Sequence, residues 1–475
     1  MTEPLQTELL LAEIRSLLPF PWTWLPQEAY WVGGSLRDAC LRQLGISKTG
    51  TGMGSPSKEK DSVDLDLVLN AGSQAGHPPV EWAAAVARRL GAGFVVLDAE
   101  RQIARIVLPK LTVDVAQQVG ATPESDLWQR DFTGNALALD LQRGYLLDPT
   151  GGLADLQRGQ IRMVHPENLS ADPVRLLRAY RQAAQLGFEL DPLTETAIQA
   201  RANLLAQMAA ERVRSEVVAI LEAGIPGLRH LQAATAAGLL GYWLPNLRPK
   251  SKGFFQAQQA MQWVQKWHTY PRIQKELQQP LADRRSRFLM VVLASLLWDP
   301  SDSSGFKAEA IQASIQVDLE KLHFSRAEQR AIQKLHLLLP QFQALLAGCP
   351  TPVQQWRLYQ QAGSLLSGLA LLALATGADQ ARQSAEHYWQ RVEPWLARYE
   401  DPGDPLAHLV PLLDGSDVLH SLGAKPGPWV GQLLDALQEA QACGQIQTRA
   451  EALTFAQQWK KNLDTLETGD NRLNS

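Results

Sequence analysis

Two aspartates separated by one residue, Asp64-Leu65-Asp66, carry the strongest chemical signal in this sequence. In an extended chain residues i and i+2 project to the same face, so the two carboxylates can converge. Like charges held close together are costly unless a cation lies between them. Hard Mg2+ prefers carboxylate and phosphate oxygens. Bound there, it could activate an attacking hydroxyl and stabilise a leaving pyrophosphate. The leucines at 65, 67 and 69 would suit a solvated strand face equally well. Asp114, in Leu111-Thr112-Val113-Asp114-Val115, offers a third carboxylate on the polar side of another alternating segment. With it, a metal site becomes the better reading.

Upstream lies Gly33-Gly34-Ser35-Leu36-Arg37-Asp38. A glycine pair between a strand and a helix lets backbone N–H groups approach a polyphosphate, and the helix N-terminus adds its positive end. Ser35 can donate one more hydrogen bond. A tight strand-to-helix connection alone would explain the same pair.

These residues need elements to hold them. Glu8 to Leu18 has helical spacing, and Ala29 to Val32 reads as a short strand before a helix over Leu36 to Leu44. Val63 to Leu69, Phe94 to Leu97, Ile103 to Leu108 and Leu111 to Ala116 read as strands. Pro109-Lys110 is the turn between the last two. Pro79 to Leu90 reads as a helix. The Gly/Ser/Lys-rich stretch Ser47 to Asp61 reads as a flexible loop. From about Pro173 the spacing turns helical to the end, with a Pro/Gly/Asp break at Glu400 to Pro405. The expected architecture is α+β: a small sheet with helices, then a long all-α remainder.

Read together, the motifs resemble the bacterial tRNA nucleotidyltransferase and poly(A) polymerase family. The resemblance runs through Gly33 to Asp38, Asp64/Asp66, Arg130-Asp131-Phe132-Thr133-Gly134-Asn135-Ala136, Asp148 to Asp155, Asp172 to Arg178, and Glu211 to Glu216. Leu413 to Leu419 and Pro426 to Gly431 are similar to the tail module of many bacterial members. The resemblance implies a nucleotidyltransferase head over residues 1–140, a helical neck over 141–220, an RNA-binding body over 221–400 and a tRNA-binding tail over 401–475.

It also implies roles. Asp64 and Asp66 match the metal-binding carboxylates and Asp114 the third catalytic one. Gly33, Gly34 and Ser35 match the triphosphate turn, with Arg37 and Asp38 completing that nucleotide-binding motif. Arg130, Asp131 and Asn135 match the segment that recognises ribose and phosphates. Asp148 to Asp155 matches a hinge. Asp172 and Arg175 match the pair that reads the incoming base, with Arg178 beside them. The residue types suit base reading. A carboxylate accepts from the exocyclic amine of C or A, and a guanidinium donates to ring acceptors. G and U would leave a buried polar group unpaired. Asp172 before Pro173 would also suit a helix N-cap. The residue before the aspartate is Ala171, where the family usually has an acid.

The implied activity is template-independent addition of C and/or A to a tRNA 3′ end from CTP or ATP, with Mg2+. A poly(A) polymerase, an A-adding enzyme and a non-catalytic tRNA-binding relative are the alternatives. Members that build the whole CCA end usually carry a long, arginine-bearing loop before the Arg-Asp-Phe-Thr motif. Here Val115 to Gln129 is short and lacks arginine, which points to an enzyme that adds CC. Some members carry a phosphohydrolase module, but Leu296-Leu297-Trp298-Asp299 has Trp298 where its histidine would stand.

Bulk properties agree. Net charge is −4, so any RNA footprint must be local. Between Arg248 and Arg287 stand nine basic residues against two acidic ones, interleaved with Phe254, Phe255, Trp263, Trp267 and Tyr270. Such a stretch could hold phosphates and stack on bases. Three scattered cysteines fit a reducing cytoplasm. The N-terminus lacks the basic start of a signal peptide. Apolar runs such as Phe288 to Trp298 are too short to span a membrane.

Overall fold

The computed structural model describes residues 5–46, 63–70, 78–282, 285–298, 308–380 and 385–470. The loop expected over 47–61 lies outside the described residues, as do Arg284 and Asp299. The chain forms two compact units. One comprises Met1–Phe254 with Asp299–Phe324, the other Phe255–Trp298 with Ser325–Ser475.

The first unit is built on a seven-stranded sheet. Its strands are β1 (Ala29–Val32), β2 (Val63–Leu69), β3 (Gly93–Asp98), β4 (Ile103–Val107), β5 (Leu111–Gln117), β6 (Ala138–Asp140) and β7 (Leu146–Leu147), in the order β3-β4-β5-β2-β1-β6-β7. Among the described residues of this sheet, only β2 and β5 pair in parallel. Alternation sets the faces: Leu65, Leu67, Leu69, Val113 and Val115 are buried, while Asp64 is exposed and Asp66 and Asp114 half-buried. Central β1 is buried on both sides. The last two strands escape the sequence reading because they hold three and two residues, too few for a period.

The helices of this unit include α1 (Thr7–Leu17), α2 (Gly33–Gln43), α3 (Pro79–Leu90), α4 (Pro123–Leu127), α5 (Gly152–Arg158), α6 (Pro166–Ala171), α7 (Val174–Leu186), α8 (Pro192–Gln199), α9 (Ala210–Glu222), α10 (Ile225–Ala236) and the later helix Ala308–Lys321. Pro79 at the start of α3 and left-handed Gly91 at its end explain its sharp bounds. α3 carries the parallel crossover and lays Trp82, Ala83, Val86 and Ala87 on the sheet. α7, α9 and α10 pack on one another.

The second unit is helical. Its core helices Arg287–Leu297, Arg326–Ala347 and Leu366–Gln380 pack together. Arg285 pairs with the fully buried Glu328, which also closes a capping box with Ser325. Helices Gly415–Leu422, Trp429–Ala442 and Arg449–Asp470 gather a smaller core around Val418, Leu433 and Leu437. The stretch Pro352–Gly377 is long and apolar enough to cross a membrane, but 72% of its most apolar window is buried in the protein. It is a core segment. The stacking suggested for the basic stretch is mostly unavailable. Phe254, Trp263 and Trp267 are core residues, Tyr270 donates to Glu393 at 2.7 Å, and only Phe255 is largely exposed. The three cysteines are unpaired.

His336 is buried in this unit. Its Nε2 faces the Ala294 carbonyl at 2.8 Å, and its ring lies 4.9 Å from that of Trp298. Burial pushes the imidazole down to about 4 from its usual 6.5. A lowered folded-state value means stability is intact above pH 6.5 and is lost as pH falls toward 4. His336→Gln keeps a donor but cannot titrate. The stability advantage of the parent over this variant should therefore shrink by up to about 3 kcal/mol across that window. Urea denaturation at pH 7 and pH 4 checks this; a constant difference contradicts it.

Candidate active site

The site grows from the end of β1. The chain leaves Val32 straight into α2, whose first residue is Gly33 rather than Leu36. The glycine pair is thus the first helical turn, and no side chain caps it. Gly33 has φ +77°, which favours glycine. A Cβ there would stand 2.5 Å from Asp66 Oδ2. The turn and the aspartate are therefore fitted to each other.

On β2, Asp66 pairs with Val32 of β1 and stands level with Asp114 of β5. Burial, then the Asp114 and Asp64 charges, pushes Asp66 up to about 6, against the lowering effect of Arg130 and Arg105. Asp64 is exposed, two residues beyond the end of the β1 pairing. Asp114 is gripped by Arg105, with Nε to Oδ1 and Nη2 to Oδ2 both at 2.7 Å. Among the described residues no three carboxylate, histidine or cysteine side chains gather as a metal cluster. The third carboxylate stands beside the aspartate pair but faces a guanidinium.

A cleft of about 1340 Å³ is lined by Asp66 and Asp114, by Gly33, Gly34 and Arg37 of α2, by Arg130, Asp131 and Asn135, and by Asp172, Arg175 and Arg178. Asp64, Ser35 and Asp38 are not in the lining. Ser35 Oγ accepts from the Trp31 indole at 2.8 Å, which leaves its own hydrogen to donate. Asp38 accepts from Arg37 at 2.8 and 3.0 Å.

One hydrogen-bonded chain joins motifs far apart in sequence. Arg37 Nη1 donates to Asn135 Oδ1 at 2.7 Å. Asn135 Nδ2 donates to Asp131 Oδ1 at 2.9 Å and to Gln182 Oε1 at 3.1 Å. Arg178 Nη1 reaches Asp131 Oδ2 at 3.3 Å, and Arg178 Nε reaches Glu216 at 3.4 Å. Arg181 Nε donates to the other Glu216 oxygen at 2.6 Å. Burial would raise the Asp131 carboxyl. The Arg178 charge and the Asn135 hydrogen bond overcome this and hold it below the usual range. Arg130 pairs with Asp126 at 2.9 Å. Nearby, Asp155 accepts from Thr133 at 2.6 Å and from Arg162 at 2.8 Å, bolting the turn after Asp148 to the Arg-Asp-Phe-Thr segment.

Asp172 is not the N-cap of α7: Pro173 takes that place and no side chain caps the helix. Asp172 and Arg175 therefore do not share a helix face, although they share the cleft. Asp172 Oδ2 accepts from Arg212 at 2.9 Å. Arg175 Nη1 donates to the Gln129 and Asn168 carbonyls, each at 3.1 Å. Asp172 Oδ1 and Arg175 Nε are buried without a protein partner. Arg181, Gln182 and Arg212 also line the cleft, beyond the residues singled out from sequence. Arg181 lies three residues after Arg178 on the same helix, and Arg212 lies inside a motif already noticed, so both left a signal.

Gly33→Ala should lower stability by about 1–2 kcal/mol from backbone handedness alone. At Gly34 a Cβ would make only an ordinary 3.5 Å contact with Arg37. Gly34→Ala should leave stability unchanged or raise it by about 0.5 kcal/mol. Chemical denaturation of both variants checks this; equal losses at the two positions would contradict the role given to Gly33.

The chain matches the family model of the poly(A) polymerase head domain over residues 29–162 and that of tRNA nucleotidyltransferase domain 2 over residues 307–456. It is 36% identical over 455 residues to the CC-adding tRNA nucleotidyltransferase of Synechocystis sp., covering 95% of this chain and 98% of that protein. It is 32% identical to the A-adding tRNA nucleotidyltransferase of Deinococcus radiodurans, covering 82% and 92%. The Thermotoga maritima CCA-adding enzyme complexed with tRNA shares the fold, with a TM-score of 0.65 at 20% identity, covering 95% and 98%. With a head whose motifs meet in one cleft and a relative this similar along nearly its whole length, the chain belongs to the tRNA nucleotidyltransferase family.

Proposed function

We propose that this nucleotidyltransferase adds C residues from CTP to the 3′ end of tRNA, selecting the base with Asp172 and Arg175. The carrying observation is a pair of buried polar atoms without a protein partner on two cleft-lining residues: an acceptor, Asp172 Oδ1, and a donor, Arg175 Nε. An exocyclic amine satisfies the first and a ring acceptor the second. A base presenting the reverse pattern leaves both unpaired, at about 1–3 kcal/mol for each group. Arg212 and the two backbone carbonyls hold the reading groups in place beforehand.

The uncapped start of α2 suits the triphosphate, with Gly33 and Gly34 allowing close approach. Arg37, Arg130 and Arg178 place positive charge along the cleft. Asp131 and Asn135 hold Arg178 and Arg37 in position beside the proposed ribose and phosphate subsite. Asp64 and Asp66 would hold the divalent ion. Both offer only oxygen ligands, which suits Mg2+, and Asp66 Oδ2 lies in a niche that a Cβ on Gly33 would fill. Held there, Mg2+ would supply activation of the 3′-hydroxyl and stabilisation of the leaving pyrophosphate.

Arrest after two C residues is supported by the connection between β5 and the Arg-Asp-Phe-Thr segment. It is short and firmly tied. Thr122 and Ser125 form a capping box on α4, and Asp126 accepts from the Val119 N–H at 3.0 Å while pairing with Arg130. A wall fixed in this way resists reshaping for a different base. The Synechocystis relative named as CC-adding supports the same reading.

The test is product length on a tRNA ending at the discriminator base, with CTP and ATP both present. The expected outcome is extension by two C residues and a stop, abolished by Asp64→Asn or Asp66→Asn in a folded protein. Efficient addition of a terminal A would refute CC specificity. Activity above a few per cent of the parent in either variant would refute the metal assignment.

A further inference from the structure

The row of residues across the sheet at Asp66 holds one more member than the reaction needs. β2 and β5 run parallel with Asp66 level with Asp114, and β4 and β5 run antiparallel with Arg105 level with Asp114. Side chains at paired positions share a face, so Asp66, Asp114 and Arg105 stand in line on three adjacent strands. Both Asp114 oxygens accept from the same guanidinium at 2.7 Å, the two-pronged geometry of a strong ion pair. The pair is half-exposed, with side-chain accessibilities of 43% for Arg105 and 27% for Asp114.

A cation approaching Asp114 would meet a group of its own sign. The remaining ligands, Asp64 and Asp66, supply two negative charges where three carboxylates would supply three. Mg2+ commonly binds through one or two carboxylates and completes its shell with substrate phosphates and water. A site one charge short holds its ion weakly until a triphosphate arrives.

We propose that Arg105 is a positioning residue that withholds Asp114 from the cation, so that the divalent ion binds through Asp64 and Asp66 and tightly only together with the nucleotide. This rests on the reading of those two aspartates as metal ligands.

The test is Mn2+ binding to the full chain without nucleotide, followed by the electron paramagnetic resonance signal of the free ion. Arg105→Gln should bind Mn2+ about tenfold more tightly than the parent, the scale on which neighbouring groups tune metal affinity. Arg105→Met, a second neutral variant, should do the same if Arg105→Gln is poorly folded. Arg105→Lys keeps the charge and should stay within about threefold of the parent. Arg105→Gln combined with Asp114→Asn should return to the parent's affinity. Adding a non-hydrolysable CTP analogue should tighten Mn2+ binding more in the parent than in Arg105→Gln. Unchanged or weaker Mn2+ binding in both neutral variants would overturn the proposal and leave the pair a structural one. Parent binding that survives Asp66→Asn unchanged would instead refute the metal-site reading beneath it.

Discussion

The site depends on keeping one largely buried carboxylate, Asp131, ionised. Burial opposes that charge, and an unpaired buried carboxylate would cost several kcal/mol. Here Arg178 supplies the opposing charge, while Asn135 and the Phe132 N–H occupy the other oxygen. Each of these partners is itself held. Arg178 is drawn to Glu216 on α9, and Asn135 is anchored by Arg37 on α2 and Gln182 on α7. Satisfying Asp131 therefore fixes how the sheet's first helix and the helices α7 and α9 meet. The cleft forms at that junction.

The arginines around the cleft are paired in advance. Arg37, Arg130, Arg178 and Arg212 each rest on a carboxylate or amide of the protein. Such pre-set donors lose little freedom when an anionic ligand arrives, which is how preorganised sites gain their effect. They also put arginines on one concave surface of a chain whose net charge is −4.

Much of this is legible in the sequence where the cause is local. Alternation places Leu65, Leu67 and Leu69 inside and the aspartates on the other face, as the sheet has them. The Pro109-Lys110 turn even implies a register, although the sequence reading stops short of it. A two-residue connection sets Val107 against Thr112 and so Arg105 against Asp114. Where causes are distant, local rules fail. Asp172 has the sequence of an N-cap, but its carboxylate is taken by Arg212, 40 residues on. α2 starts at Gly33, not Leu36, because packing at the sheet end outweighs glycine's poor helix propensity. The Arg37–Asn135 bond spans 98 residues, and only the folded sheet brings its partners together. Aromatics in the basic stretch suggest stacking on bases, yet most fill the core, because periodicity alone does not separate a core face from a binding face.

Two unmet polar atoms, on Asp172 and Arg175, are proposed to choose the nucleotide in place of a template. The most direct test is single-nucleotide incorporation from each of the four triphosphates by the parent, Asp172→Ala and Arg175→Ala, with tRNA affinity measured in parallel. Each variant should lose discrimination against G and U by at least about tenfold while tRNA binding is retained. Variants that reject G and U as sharply as the parent would contradict this mechanism of selection.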